Sequence, residues 1–542
     1  MALLKIAAVL LPVMLLSCSA AEDEKVRRPG EIETRSVIRM LSSDLMEGRA
    51  PGTRGGELAE EYCRSVLEIL GIGPWNGEYM HRFELVGFTT PELSIEAEGV
   101  GMRLGDDIMG SLTAEGPFSM TAGAVFVGYG IESEAWSWDD YKDVPVEGKI
   151  VVCRVNEPGR DDPDLFEGDA LTYYGRWTYK IEEAASRGAA GILMVHTDET
   201  AGYGWHVVRN SWGGEELYLP SMLEGDMVFR GWVREETIAK ALERAGHSLA
   251  GLYDASERRD FRPVDLGVDL SVSGGSVART LKTSNVVGFI EGNAPGLKDR
   301  SIVLSAHIDH LGIDPDLPGH DRIYNGAIDN GSAVAAMMMT ARLIEERREE
   351  LDCSLIVLAC QAEEAGLLGS RHFAENVDPG SIVCNINFES TPVWERSGSI
   401  LGVGAEHSTF DELIPRVAAD MGLEYSMFSM ADRGFFYRSD QFSFARVGIP
   451  AVWISAGEDF ESGVNHALKF FTGAYHTVED EYDPSWELAS TAQTIEAAVR
   501  LVMMIDGEKP DMRWKGRMTF PVSGGPAEPH SEESGQEDRA GH

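Results

Sequence analysis

Short apolar runs alternate with amphipathic stretches over residues 280–510. Five runs are apolar enough for buried strands, and they cover residues 286–290, 302–305, 355–359, 382–388 and 452–455. Between two of them, residues 332–350 have an apolar body and a charged C-terminal end, which predicts a helix. Continuous apolar runs that alternate with helices are typical of an α/β sheet whose strands are covered on both faces.

Residues 90–275 have a different pattern, with more glycine, tryptophan and turn signals. Within them, residues 148–152 and 192–195 predict two strands, and residues 181–187 predict a helix between these strands. Before this region, residues 57–70 carry apolar side chains at helical spacing. We therefore expect a separate β-rich domain inserted into an α/β domain, whose two parts are residues 31–89 and 276–510.

The first residues predict export from the cytoplasm. Lys5 precedes an apolar run over residues 6–16, which is too short to span a bilayer and is typical of a signal peptide. The run ends in Leu-Leu-Ser-Cys18, which resembles a bacterial lipobox and implies cleavage before Cys18 and lipid attachment to it. Cleavage near Ala20 without lipid attachment is the alternative. We expect a signal peptide at residues 1–18, a linker at 19–30 and an extracytoplasmic lipoprotein that faces the periplasm or sits in the outer membrane.

Composition sets further limits. The length of 542 residues predicts two or three domains. The formal net charge of −42 argues against nucleic-acid binding, which needs a basic face. No two cysteines have CxxC spacing, so the sequence contains no zinc-finger or dithiol redox motif. Residues 511–542 are rich in Gly, Pro, Ser and acidic side chains, which predicts a disordered acidic tail.

Ionisable side chains follow the ends of several predicted strands. In open α/β sheets, ligands collect at the carboxyl ends of strands, so these side chains are expected to converge. They are His307, Asp309, Asp329, Glu363, Glu364, Glu389 and, in a loop after the last strand, Tyr475 and His476. Histidines and carboxylates without cysteine form a ligand set for zinc or a similar divalent ion. A carboxylate shared by two ions would hold them about 3.5–4 Å apart.

The spacing of these residues also separates their roles. Two adjacent glutamates cannot both reach one ion from a regular backbone, so one of Glu363 and Glu364 can bind metal while the other acts as a general base. In the His307-x-Asp309 pair, the histidine can bind metal while the carboxylate fixes the ring tautomer.

The order of these residues resembles the family-28 zinc metallopeptidases, in particular their bacterial aminopeptidase branch. The surrounding sequence matches further family segments, which are Ser43-Asp44 with Gly48-Arg49, Asn325-Gly326, Ser439-Asp440-Gln441 and Tyr475-His476-Thr477. Residues 90–275 resemble the protease-associated domain that some branches carry as an insert. The resemblance implies a zinc exopeptidase fold, with a mixed β-sheet flanked by helices and peptides as substrates.

The resemblance also implies two Zn²⁺ ions, although other divalent ions would suit the same ligands. His307, Asp329 and Glu389 would hold one ion. Asp329, Glu364 and His476 would hold the second, so that Asp329 bridges the two.

Three more roles follow from the resemblance. Glu363 would be the general base, Asp309 would orient His307, and Tyr475 would donate a hydrogen bond to the oxyanion. Most relatives have Asp where this chain has Glu389, which is one methylene longer.

An aminopeptidase is the leading interpretation, and two alternatives stay open. A carboxypeptidase or dipeptidase of the same family would share the metal ligands and need cations for a terminal carboxylate, for which Arg433 and Arg438 are candidates. A catalytically inert, receptor-like binding protein is known in the transferrin-receptor branch. A serine hydrolase is disfavoured because the sequence has no Gly-x-Ser-x-Gly elbow.

Overall fold

The computed structural model describes residues 30–160, 162, 164–201 and 204–522. The predicted signal peptide, the lipid anchor at Cys18 and all but the last residue of the linker lie outside this range. The helices are α1 (Glu31–Leu41), α2 (Arg54–Ile69), α3 (Trp177–Ser186), α4 (Asp198–Ala201), α5 (Trp205–Ser211), α6 (Glu235–Arg244), α7 (Leu249–Ser256), α8 (Ala333–Glu345), α9 (Leu368–Asn376), α10 (Phe410–Asp420), α11 (Gln441–Arg446), α12 (His466–Thr472) and α13 (Ala489–Glu508).

The strands are β1 (Gly73–Pro74), β2 (Met80–Ala97), β3 (Val100–Arg103), β4 (Ile108–Leu112), β5 (Gly116–Phe126), β6 (Glu132–Ser133), β7 (Trp138–Asp139), β8 (Ile150–Arg154), β9 (Gly191–His196), β10 (Glu215–Tyr218), β11 (Phe229–Arg234), β12 (Val264–Ile290), β13 (Ser301–His307), β14 (Gly312–Ile313), β15 (Ile323–Tyr324), β16 (Ser354–Cys360), β17 (Ile382–Asn387), β18 (Ser399–Val403), β19 (Glu424–Ser426) and β20 (Ala451–Ala456). Each of the five predicted apolar runs lies in one of these strands, and the predicted helix at residues 332–350 corresponds to α8.

The main lobe is built on a mixed sheet with strand order β19-β18-β20-β17-β13-β16-β12. Strands β20, β17, β13 and β16 are parallel, whereas β18 runs antiparallel to β20 and β12 runs antiparallel to β16. Alternate residues of one strand point to opposite faces of a sheet. Accordingly Leu304 of β13 packs in the core with α8 and α13, while Val303 packs on the other face with Phe373 of α9. Helices therefore cover both faces, as the continuous apolar runs predicted.

Two long strands join the main lobe to the inserted lobe. Strand β12 has 27 residues, and its C-terminal end pairs with β16 while its N-terminal part pairs with β5. Strand β2 runs antiparallel beside it, with Thr89 opposite Val277 and a bulge between Gly275 and Val277. The predicted domain boundaries at residues 90 and 275 thus fall inside paired strands. No loop separates the lobes at these positions.

The inserted lobe contains more helix than a β-rich domain. Strands β5, β8, β9 and β11 are parallel neighbours, and β4 closes the edge antiparallel to β11. Helix α3 connects β8 to β9, as the sequence predicted. Helices α6 and α7 pack against the apolar core of this lobe. The identity of this lobe as a protease-associated domain stays a prediction.

The prediction of a disordered tail at residues 511–542 is wrong for residues 511–522. The main-chain N–H of Thr409 donates to the oxygen of Arg513, and Trp514 Nε1 donates to the oxygen of Gly448. Phe520 is 1% exposed and packs in an aromatic cluster formed by both lobes, with its ring centroid 5.5 Å from that of Phe442. Large aromatic side chains outweigh the polar composition of this segment. Residues 523–542 lie outside the described part of the chain.

Within the residues that the structure describes, no helix combines the length and the apolar character needed to cross a membrane.

Candidate metal centre

The predicted site residues meet at the carboxyl ends of the parallel strands. His307 is the last residue of β13 and lies opposite Cys360, the last residue of β16. Glu363 and Glu364 follow β16 within four residues, and Glu389 follows β17. Asp329 lies in the wide turn Ala327–Ser332 that leads into α8, where its peptide bond to Asn330 is cis.

Asp329 is the centre of the arrangement, because its two carboxylate oxygens face different histidines. Oδ1 lies 3.2 Å from Nε2 of His307, which also lies 3.4 Å from Oε1 of Glu389. Oδ2 lies 3.2 Å from Nε2 of His476, which in turn lies 3.2 Å from Oε2 of Glu364. The structure therefore brings together the two ligand sets that the sequence predicted, with one oxygen of Asp329 in each.

This donor set fits divalent metal ions. One ligand atom from each of His307, Asp329 and Glu364 lies within 4.8 Å of the other two, and the same holds for His307, Glu363 and Glu389. Asp329 Oδ2 is buried without a hydrogen-bond partner among the described residues. A buried oxygen of that kind carries a desolvation cost that a bound cation would offset. Imidazole and carboxylate ligands suit zinc, and no thiolate belongs to either set.

The carboxylates of the site differ in pKa. Burial raises the pKa of Asp329, but the imidazoles of His307 and His476, each 3.2 Å from one of its oxygens, more than offset this and hold the pKa well below its ordinary value. The pKa of Glu363 lies well above its ordinary value, mainly because the side chain is buried. His307 lowers this pKa, while the negative charges of Glu364 and Glu389 raise it further. Of the two carboxylates Asp329 and Glu363, Glu363 therefore has the greater affinity for a proton.

Asp309 positions more than the predicted histidine. Its main-chain oxygen lies 3.2 Å from Nδ1 of His307, while its carboxylate stands 3.7 Å from that nitrogen. The carboxylate oxygens accept hydrogen bonds from the main-chain N–H groups of Glu363 and Glu364, at 3.1 and 3.2 Å. Asp309 thus links the loop after β13 to the loop after β16.

Tyr475 stands over the second ligand set. Its ring stacks on that of His476, with centroids 3.9 Å apart and planes 19° from parallel. Desolvation raises the pKa of Tyr475 well above its ordinary value, and the carboxylates of Asp329 and Glu364 add to this effect. The hydroxyl therefore stays protonated and can donate a hydrogen bond.

Four residues support the site without having been assigned a role from the sequence. Asp480 accepts the N–H groups of Ile328 and Asp329, each at 2.9 Å. Ser439 donates to Glu389 Oε2 at 2.6 Å, and His310 Nδ1 lies 2.7 Å from Glu364 Oε1. Ser439 belongs to a segment that the sequence analysis singled out, and Asp480 and His310 lie within three residues of such segments. The partners of all three are 50 or more residues away in the chain.

Arg49 is the fourth of these residues and joins two ligand loops. Its buried guanidinium donates to the main-chain oxygens of Ile308, Asn325 and Gly326, at 2.7, 2.6 and 3.0 Å. It also donates to the oxygen of Leu41. The peptide beside His307 and the turn before Asp329 are therefore held by one side chain.

Comparison with known proteins agrees with this arrangement. Residues 285–501 match the model of peptidase family M28. The matching segment contains every predicted metal ligand together with Asp309, Glu363 and Tyr475, so the resemblance to family-28 peptidases is confirmed.

Solved structures of similar fold come from bacteria. An aminopeptidase from Aneurinibacillus sp. strain AM-1 is 17% identical, with a TM-score of 0.51 over 91% of this chain and 96% of that one. A zinc aminopeptidase from Bacillus subtilis is also 17% identical, with a TM-score of 0.42 over 90% of this chain and 98% of that one. No curated protein matches the chain. The first of these structures confirms the predicted fold class, a mixed sheet flanked by helices.

Proposed function

We propose that this protein is a zinc-dependent aminopeptidase that removes N-terminal residues from peptides at a centre of two metal ions. One observation carries the proposal: the two oxygens of Asp329 face two different histidines, each at 3.2 Å, and a second carboxylate lies beside each histidine. A bridging carboxylate between two His-and-carboxylate sets is the ligand pattern of a two-metal hydrolase.

The five ligands would be divided between two ions as the resemblance to family-28 peptidases implies. His307, Asp329 and Glu389 would hold one ion, and Asp329, Glu364 and His476 would hold the other. When bound, the ions supply a Lewis acid for the scissile carbonyl and lower the pKa of water at the site.

The remaining steps belong to side chains of this protein. Glu363 takes the proton of the attacking water and passes it to the leaving amine, a role that its raised pKa favours. Tyr475 donates its hydroxyl to the oxyanion of the tetrahedral intermediate. The carboxylate of Asp309 accepts a hydrogen bond from the main-chain N–H of Glu363 and so keeps Glu363 in place.

The positions of the candidate arginines favour cleavage at the amino end. A carboxypeptidase would need a cation for the terminal carboxylate of its substrate. Arg433 and Arg438, the candidates for binding a terminal carboxylate, have exposed side chains, and Arg438 lies over the ring of Phe435. Arg49 is buried behind the ligands, where its guanidinium binds main-chain oxygens. The similar fold of an aminopeptidase is in line with this choice.

The test uses peptides blocked at one end and fluorogenic at the other, with and without a chelator. We expect hydrolysis of substrates with a free amino terminus and loss of that activity after chelation. Cleavage only of substrates with a free carboxyl terminus would instead support the carboxypeptidase alternative. Protein that contains no zinc and hydrolyses neither class would support the inert binding protein.

A variant separates catalysis from metal binding. Glu363→Gln keeps the shape of the side chain but cannot take a proton, so kcat should fall about 10²–10⁴-fold while the zinc content stays at the wild-type value. Glu375→Gln, on the exposed side of α9, is the matched control and should keep full activity. Wild-type turnover in Glu363→Gln would remove Glu363 as the base.

The extracytoplasmic location and the lipid anchor at Cys18 stay predictions from the sequence.

A further inference from the structure

One buried histidine beside the metal centre belongs to neither ligand set. His310 is 1% exposed, and its Nδ1 lies 2.7 Å from Oε1 of Glu364. Its Nε2 is buried and has no hydrogen-bond partner among the described residues. The shortest polar contact of the ring is therefore to a predicted metal ligand, and the same Nδ1 lies farther away, at 3.8 Å, from Oδ2 of Asp329.

The partner fixes the direction of this hydrogen bond. An ionised carboxylate has no proton to give, so Nδ1 of His310 carries the proton and donates it to Glu364. A carboxylate that binds a metal ion is deprotonated, so Glu364 is the acceptor of this hydrogen bond.

This hydrogen bond also sorts the two oxygens of Glu364. Oε1 is occupied by His310, whereas Oε2 lies 3.2 Å from Nε2 of His476, beside Asp329 Oδ2. Oε2 is therefore the oxygen that faces the position between Asp329 and His476. A metal at that position would meet Oε2 of Glu364, because Oε1 is turned toward His310.

The neighbours of His310 keep its ring in place. A Cβ on Gly326 would lie 2.7 Å from Cδ2 of His310, so only a glycine at that position leaves room for the ring. Gly326 also has a φ of 55°, a left-handed conformation that glycine adopts without strain. On its other sides the ring meets those of Tyr324 and His476, with centroids 6.4 and 5.9 Å away.

We propose that His310 is a positioning residue for the second ion site: its Nδ1–H holds Glu364 as a ligand that offers one oxygen, Oε2. This inference rests on the proposed function. Ser439 makes the corresponding contact at the other set, where its hydroxyl donates to Oε2 of Glu389 at 2.6 Å. Each of the two glutamate ligands therefore has its own donor, and the two ion sites can be weakened one at a time.

The experiment compares two variants of similar size. His310→Asn keeps an N–H donor near the place of Nδ1, and His310→Leu has nearly the same volume without a donor. Both are titrated with Zn²⁺ in competition with a chelating indicator, together with the wild type, to give two dissociation constants each. Loss of an outer hydrogen bond to a metal ligand costs about 10–100-fold in affinity. In His310→Leu we expect this loss of affinity in one of the two Zn²⁺ dissociation constants, while the second stays unchanged. In His310→Asn we expect both dissociation constants to stay near the wild-type values.

Ser439→Ala shows which site is affected. It removes the donor to Oε2 of Glu389 and leaves the two contacts from Ser390 to Oε1. The constant that it weakens should be the one that His310→Leu leaves unchanged. The double variant should then be weak at both sites. If His310→Leu and Ser439→Ala weaken the same Zn²⁺ dissociation constant, the assignment of His310 to a separate site is overturned.

Other outcomes also decide the question. Wild-type zinc affinity at both sites in His310→Leu, or affinity in His310→Asn as weak as in His310→Leu, would overturn the inference, because the donor would then have no role. If circular dichroism shows that His310→Leu does not fold, His310→Asn decides alone: wild-type constants support the inference and weakened ones overturn it. Wild-type protein that binds no zinc would overturn the proposed function and this inference with it. Two bound ions with no effect of His310→Leu would overturn only the latter.

Discussion

Replacing Arg49 should destabilise the protein and loosen the metal centre together. The guanidinium donates to the oxygens of Leu41, Ile308, Asn325 and Gly326, and methionine at position 49 cannot donate to any of them. Gly326 retains a second donor, the main-chain N–H of Gly331 at 3.2 Å. Three buried carbonyl oxygens therefore lose their donor in Arg49→Met.

The magnitude follows from two opposing contributions. A buried acceptor that loses its partner costs about 1–3 kcal/mol, so three of them cost about 3–9 kcal/mol. Methionine also removes the penalty of burying a charged guanidinium, which is several kcal/mol. We expect a net decrease of about 3 kcal/mol in the free energy of unfolding. Activity and zinc affinity should fall as well, because the main chain next to His307 and before Asp329 is no longer held.

The assay is urea denaturation of Arg49→Met, Arg54→Met and wild type, followed by tryptophan fluorescence and circular dichroism. Arg54 is the matched control, since its side chain is 69% exposed and its one ion pair among the described residues is with Glu47, at 2.6 Å. Its replacement should change the unfolding free energy by less than about 0.5 kcal/mol. If Arg49→Met is as stable as Arg54→Met, the reasoning from the carbonyl oxygens is refuted.

Two further predictions concern stability. Burial and then the nearby His372 lower the pKa of His81 from 6.5 to about 4, so its contribution to stability is complete above pH 6.5 and is lost as the pH falls toward 4. After allowance for its partial exposure, about 1 kcal/mol of the stability lost between pH 7 and pH 5 should be absent in His81→Phe, and equal losses in both proteins would contradict this. Phe520→Ala should lower the unfolding free energy by about 3 kcal/mol in urea denaturation, because its ring is 1% exposed. A change below about 1 kcal/mol would show that residues 511–522 contribute little to the aromatic cluster.

The parallel strands and the loops that carry the ligands could be predicted because both depend on local sequence. A strand covered on both faces is mostly apolar, so β13, β16 and β17 stand out as predominantly apolar runs. The ligands follow directly after these runs, so their convergence required only that the strands lie side by side.

The supporting contacts could not be predicted in the same way, because they join distant parts of the chain. Asp480 accepts the N–H of Asp329 across 151 residues, and Arg49 reaches Gly326 across 277. No periodicity in the sequence gives such pairings. The acidic composition of residues 511–542 concealed Trp514 and Phe520, whose apolar rings decide where this segment packs.

The long ribbon of β2 and β12 determines how the two lobes can move. At about 3.3 Å per residue, the 27 residues of β12 form a strand up to about 90 Å long that pairs with strands of the main lobe and of the inserted lobe. Hydrogen bonds to β2, β5 and β16 hold β12 along most of this length. The inserted lobe therefore cannot move independently, as a domain on a flexible linker would. The ribbon bends most easily at the bulge between Gly275 and Val277, where the hydrogen-bond ladder between β12 and β2 is interrupted. The lobes are therefore coupled mechanically: a bend that opens or closes the space above the metal centre must also flex the strand next to β16.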